Sequence, residues 1–257
     1  MVMETVRSAD GTIIAYERSG AGPAVVLVAG AFCDRQWFDS LAAELAADFT
    51  VFSYDRRGRG DSGDGDAYSI EAEVEDLRAV VEATGETPLV YGLSSGGALA
   101  LEAVSQGVPM RKLAVYEAPY MDGEWDTTAL NDLWRLVAAG DREGTVVRFL
   151  ALTGASSQMV EEMKQSPDWP GMCTIAHTLP YDVAICNHGS RSLEWLTSTA
   201  VPALVMYGGD SGQWGRSSAA RISKKIRGAK TLEIPGQAHG VSDDAMAPVL
   251  REFFLDR

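Results

Sequence analysis

Ser94 sits in the run Gly92-Leu93-Ser94-Ser95-Gly96, a G-x-S-x-G pattern between a short β-forming apolar stretch and an Ala/Leu-rich one. Read as strand, tight turn and helix, it forces Ser94 into strained backbone geometry and pushes its hydroxyl out over the end of a sheet. Side chains at Gly92 and Gly96 would collide with the neighbouring strand and helix. A serine hydroxyl is a poor nucleophile until a base takes its proton. Of the three histidines, His239 lies in Pro235-Gly236-Gln237-Ala238-His239-Gly240, between a strand-like run and the last helical one. The order Ser…acid…His places a base there. His177 and His188 fall in a helical stretch and read as pocket or structural residues. The imidazole in turn needs a carboxylate to hold its tautomer and offset its charge. Asp210, after Gly208-Gly209, has the right order and the right kind of loop, and is preferred. Glu117, at the end of the run 112–118, competes with it. Two backbone N–H groups should receive the charge that develops on an attacked carbonyl oxygen. One is that of Ser95; the other comes from the first strand-to-helix loop, at Ala31 before Phe32. Phe32 then lines the acyl side of the pocket.

The elements that must position these groups are legible in the pattern. Residues 5–8 and 12–18 form a hairpin around Ala9-Asp10-Gly11. Residues 24–29, 50–55, 89–93 and 112–118 are apolar runs of the kind buried on both faces of a parallel sheet. They alternate with helical stretches at 36–47, 70–83 and 95–106, which carry apolar residues at helical spacing. The alternation resumes with strands at 202–208 and 230–234 and helices at 217–226 and 243–254. The class is α/β, a mostly parallel sheet flanked by helices. Between, residues 120–198 hold helices but no convincing buried strand. The expected organisation is a core of residues 1–119 and 199–257 with 120–198 inserted as a helical cap. The insertion holds four of the six tryptophans, Trp125, Trp134, Trp169 and Trp195, together with Met121, Met159, Met163 and Met172. That composition suits an apolar lid, or simple packing of the insertion onto the core.

With 257 residues and 46% hydrophobic content, the chain can fill such a core, and disorder is excluded. A net charge of −14 argues against nucleic acid or an anionic membrane as partner. Cys33, Cys173 and Cys186 match no disulfide or zinc spacing, so a reducing cytoplasm is the expected compartment. Neither a signal peptide nor a membrane span is visible. Cys33 reads as a small loop residue. Arg56, Arg57 and Arg59 are expected to pair on the surface with Asp61, Asp64 and Asp66.

Taken together, these motifs resemble the α/β-hydrolase fold superfamily along nearly the whole chain. Gly92–Gly97 looks like its nucleophile elbow, and Ala29-Gly30-Ala31-Phe32 like its His-Gly oxyanion segment, followed by Trp37. The run Tyr54-Asp55-Arg56-Arg57-Gly58-Arg59-Gly60-Asp61-Ser62 resembles its D-x-x-G-x-G-x-S loop, and 235–240 its histidine loop. The sequence departs from the pattern twice. Ala29 stands for the usual histidine, and the acid's usual place, three residues after Gly208, is held by Ser211. Some members of the superfamily instead carry the acid after the strand that ends near Glu117. The nearest likeness is to small capped esterases, lactonases and haloperoxidase-like proteins. It implies a serine-dependent hydrolase of small carboxylic esters, lactones or thioesters acting through an acyl-enzyme, with no metal or organic cofactor and a small-molecule substrate as partner. The alternatives are a non-hydrolytic lyase, cyclase or haloperoxidase-like enzyme, or a ligand-binding protein on the same fold.

Overall fold

Each apolar run becomes a short strand whose alternate residues enter two different cores. The computed structural model describes residues 3–120, 127–188 and 193–256. Among them, β1 (Met3–Arg7), β2 (Ile13–Gly20), β3 (Ala24–Val28), β4 (Thr50–Tyr54), β5 (Leu89–Leu93), β6 (Lys112–Tyr116), β7 (Ala203–Gly208) and β8 (Lys230–Ile234) form one sheet. Its order is β1-β2-β4-β3-β5-β6-β7-β8. Pairings β1–β2 and β2–β4 are antiparallel, and all the others are parallel. The helices are α1 (Asp39–Leu45), α2 (Ile70–Ala83), α3 (Ser95–Ser105), α4 (Thr127–Ala138), α5 (Arg142–Leu152), α6 (Ser157–Met163), α7 (Trp169–Thr174), α8 (Leu179–His188), α9 (Gly212–Lys225) and α10 (Asp243–Leu255).

On one face of the sheet, Val26, Val90, Leu113 and Val115 pack with residues of α2, α3 and α9. On the other, Val25, Leu27, Tyr91 and Ala114 pack with residues of α1 and α10. The period-two pattern of a strand buried on both faces thus divides into two helix-covered layers. From β6 to β7 the described chain is helical and adds no strand to the sheet. Leu133, Val146, Phe149, Leu150, Val160, Trp169, Leu179 and Val183 make a third apolar cluster there. Ala31 and Phe32 of the core pack against it, Phe32 edge-on to Phe149 with centroids 5.2 Å apart.

Of the tryptophans between β6 and β7, Trp169 is buried and Trp195 is packed against the main core. Trp169 lies in the third cluster, Trp195 stands edge-on to Tyr120, and Trp134 tilts against Tyr181. Trp125 and Met121 lie outside the described residues. Helix α9 begins at Gly212, five residues before the expected start, because Gly212 and Gly215 disguise its first turn. No helix among the described residues is long and apolar enough to cross a membrane.

The expected surface pairing of the arginines is corrected. Arg56, Arg57 and Arg59 are fully buried. Arg56 binds Glu73 at 2.6 Å, Arg57 binds Asp76 at 2.6 Å, and Arg59 binds Asp182 of α8 at 2.8 Å. The Gly-rich loop that carries them turns inward because its guanidinium groups meet carboxylates from α2 and α8 there. Asp61 is taken by Arg35 at 2.7 Å.

Candidate active site

The order in which parallel strands are added reverses at β3: from β3 the chain goes to β4 on one side, then returns to β5 on the other. Ligand sites of open α/β sheets form in the crevice at the carboxyl ends of such strands. Ser94 follows β5 there, at φ 55° and ψ −125°. Three non-glycine residues among those described have positive φ, namely Phe32 at 61°, Ser94 at 55° and Glu117 at 49°. They follow β3, β5 and β6, so the backbone strain of the fold converges on this edge. The elbow tolerates no side chain beside it. A Cβ on Gly96 would lie 2.2 Å from the Val28 carbonyl oxygen, and one on Gly92 would lie 2.6 Å from Cα of Gly97.

The structure brings Ser94 and His239 together: Nε2 of His239 is 3.1 Å from Oγ of Ser94. The histidine loop, between β8 and α10, is tied down on both sides. The Tyr116 hydroxyl donates to the Ala238 carbonyl at 2.5 Å, and the Asp210 amide donates to the Gln237 carbonyl at 2.9 Å. Trp214, from the unanticipated first turn of α9, faces the imidazole with ring centroids 5.5 Å apart. The sequence pattern does not mark it, because Gly212 and Gly215 interrupt the helical periodicity around it.

Asp210 does not meet His239, contrary to the preference drawn from chain order. Its residue is exposed, and its contribution to the loop is the backbone amide just described. The carboxylate at Nδ1 of His239 is that of Glu117, at 2.7 Å from Oε2. The reason is geometric. Glu117 leaves β6, the strand next to β5, with positive φ, and the Gly208 amide donates to its Oε1 at 2.9 Å. Burial opposes the charge of Glu117, but the hydrogen bonds from His239 and the Gly208 amide overcome it and hold the carboxyl below the usual carboxylate range. A buried anion against Nδ1 leaves the lone pair of Nε2 facing Ser94.

Gly30 abuts the serine: a Cβ placed on it would be 3.0 Å from Cβ of Ser94. This sets the Ala31 and Phe32 loop beside Ser95, the first residue of α3, whose N-terminus faces the same spot. Cys33 is buried close by, with its thiol donating to the Ala31 carbonyl at 3.2 Å. Burial pushes that thiol up to about 12, which keeps it protonated. His177 lies apart from the serine, 3.8 Å from Asp64. Nothing is described for the side chain of His188.

Comparison with known proteins agrees with this architecture. Solved structures similar to the chain include an alpha/beta hydrolase from Sphaerobacter thermophilus, 44% identical, with TM-score 0.92 over 98% of this chain and all of that one. A thermophilic esterase from Thermogutta terrifontis is 20% identical, with TM-score 0.77 over 99% of this chain and 98% of its own. An uncharacterized hydrolase of Bacillus subtilis, YraK, is 34% identical over 96 residues, and the match spans 36% of this chain and about a third (35%) of that relative's length. The sequence profile of the alpha/beta hydrolase family matches residues 25–252. The chain belongs to the alpha/beta hydrolase family.

Proposed function

We propose that the protein is a serine hydrolase of small carboxylic esters, lactones or thioesters. The observation that carries this reading is the chain of contacts from Glu117 through His239 to Ser94, at 2.7 and 3.1 Å. Ser94 Oγ attacks the substrate carbonyl carbon while Nε2 of His239 takes its proton. The carbonyl oxygen becomes an oxyanion on the N–H groups of Ala31 and Ser95. As the tetrahedral intermediate collapses, the bond to the leaving alkoxide or thiolate breaks, and His239 returns the proton to it. Water then attacks the acyl-Ser94 ester, losing a proton to His239, and the acid is released with the serine restored. Glu117 stays ionised throughout and balances the imidazolium.

Residues 120–198 act in this reading as a cap. Their apolar cluster reaches the oxyanion loop at Ala31 and Phe32, which favours uncharged, apolar acyl groups. Three free cysteines support a reducing cytoplasm as the compartment. A buried Glu117 on His239 supports this reading over that of a ligand-binding protein on the same fold. A fluorophosphonate probe tests the reading. The wild type should be labelled on Ser94 within minutes and lose esterase turnover in step, whereas Ser94→Ala should do neither. A wild type that resists labelling and turns over no activated ester would overturn it.

A further inference from the structure

The two proposed oxyanion donors, the N–H groups of Ser95 and Ala31, lie on different elements, yet one buried carboxylate accepts from the Ser95 side chain and, through Arg59, is linked to the Gly30–Ala31 peptide. Asp182, on α8 of the helical insertion, is 1% exposed. Its Oδ1 accepts from the Ser95 hydroxyl at 2.7 Å, from Arg56 Nη1 at 2.8 Å and from Arg59 Nη2 at 2.9 Å. Its Oδ2 accepts from Arg59 Nη2 at 2.8 Å. Arg59 in turn donates through Nη1 to the Gly30 carbonyl at 2.6 Å, and Arg56 to the Ala29 carbonyl at 3.2 Å. The Gly30 carbonyl and the Ala31 N–H belong to the same planar peptide unit. A guanidinium on that oxygen fixes the plane in which the N–H points and draws electron density from it, which makes the N–H a stronger donor.

We propose that Asp182 is a positioning residue for the oxyanion hole: it orients Ser95 directly and the Ala31 amide through Arg59 and Gly30. The proposal rests on the acyl-transfer reading of Ser94. Its chemical content is that a carboxylate from the cap, with no contact to the reacting atoms, sets the aim of both donors. Burial opposes the charge of Asp182, but Arg59, Arg56 and the Ser95 hydroxyl outweigh it and keep the carboxylate ionised. Stability alone gives such an arrangement little reason to exist, because a buried ion cluster is seldom better than apolar packing of the same volume. The alternative role is a plain anchor of α8 on the core, where Tyr68 also stacks on Tyr181 at 4.1 Å.

The two roles separate in the chemistry of the attacked carbonyl. A thionoester carries sulfur in place of the carbonyl oxygen. Sulfur is larger and a weaker acceptor, so a thionoester gains little from well-aimed N–H donors. The experiment compares kcat/KM for a p-nitrophenyl acyl oxoester and its thionoester in the wild type, Asp182→Asn and Ser95→Ala, with a pH profile for each. Removing one oxyanion donor outright costs roughly a hundred- to a thousandfold in rate, and misaiming two should cost about ten- to a hundredfold. Asp182→Asn should lose that much with the oxoester and far less with the thionoester, so the preference between them narrows. The wild-type pH dependence of kcat/KM should be retained, because the contacts of Glu117, His239 and Ser94 are untouched. Ser95→Ala removes a single hydroxyl and should narrow the preference in the same sense, to a smaller degree. It decides the question if Asp182→Asn does not fold. A parallel loss with both substrates, or no loss, would make Asp182 an anchor only and overturn the proposal while the hydrolase reading stands. Absence of oxoester turnover in the wild type would overturn both.

Discussion

Oε2 of Glu117 lies 2.7 Å from Nδ1 of His239, and the other oxygen of the same carboxylate receives the Gly208 amide. Both oxygens are therefore committed, and the histidine can present only its other nitrogen to Ser94. Glu117→Gln keeps the shape but can offer an N–H to Nδ1, which favours the wrong tautomer. The change should lower kcat on the order of 10⁴-fold, the scale seen when a triad acid becomes an amide. Asp210→Asn should stay within about twofold, since the Asp210 side chain is exposed and only its backbone holds the loop. Steady-state kinetics of the two variants, with circular dichroism to verify folding, would reverse the assignment if Asp210 proved the costlier.

The elbow should be intolerant of one added carbon. In Gly96→Ala the new Cβ would sit 2.2 Å from the Val28 carbonyl oxygen, a backbone atom that cannot turn aside. Overpacking of this kind costs about 1–3 kcal/mol, and more where backbone must move. A lowered urea midpoint and loss of fluorophosphonate labelling are expected. Wild-type behaviour in both would show that β3 and α3 can separate more easily than the structure implies.

Phe149 joins the apolar cluster of the helices between β6 and β7 to Phe32 of the loop after β3. Phe149→Ala should lower stability by about 3 kcal/mol, the low end for truncation of a buried phenylalanine. It should also raise KM for long apolar acyl chains more than for acetyl esters, because Phe32 loses its edge-on partner. Unfolding curves and a chain-length series check the two effects separately, and an unchanged series would detach the insertion from acyl selectivity.

Glu117 and Asp182 are both held below the ordinary carboxylate range. The unfolded chain takes up their protons at about pH 4, the folded chain only at lower pH. Their stabilising contribution is therefore complete above about pH 4.5 and drains away as the pH falls through the folded values. Urea midpoints measured from pH 6 to pH 3 should drop below about pH 4, and less steeply in Asp182→Asn than in the wild type. Equal slopes in the two proteins would mean that Asp182 is not an ionised member of the cluster.

Much of this was readable without coordinates. The alternation of apolar runs and helices marks a mostly parallel sheet flanked by helices, because strands buried on both faces are apolar throughout. The spacing of Gly92, Ser94 and Gly96 marked the elbow, since each glycine answers a contact that only a missing side chain relieves. His239 followed from chain order. The acid did not, because Asp210 and Glu117 differ in where their backbones send the carboxylate, and a positive φ at a glutamate has no signature in composition. The arginines misled for a related reason. Charged residues in a Gly-rich loop usually face water, and nothing local reveals that Glu73, Asp76 and Asp182 wait inside. Trp214 was hidden by the glycines of the turn in which it sits.

The clamp around Asp182 bears on how freely the insertion could be exchanged. Helical caps look like replaceable modules when judged by their boundaries. Here Asp182 of α8 supplies the counter-charge for two guanidinium groups of the loop after β4, at 2.8 Å from each. A graft lacking an acidic side chain at that point would leave Arg56 and Arg59 buried without it, and removing one partner of a buried pair costs about 3–5 kcal/mol. Exchange of the helices between β6 and β7 must therefore conserve a charge as well as a shape, and compatible donors are those that bring a carboxylate to the same depth.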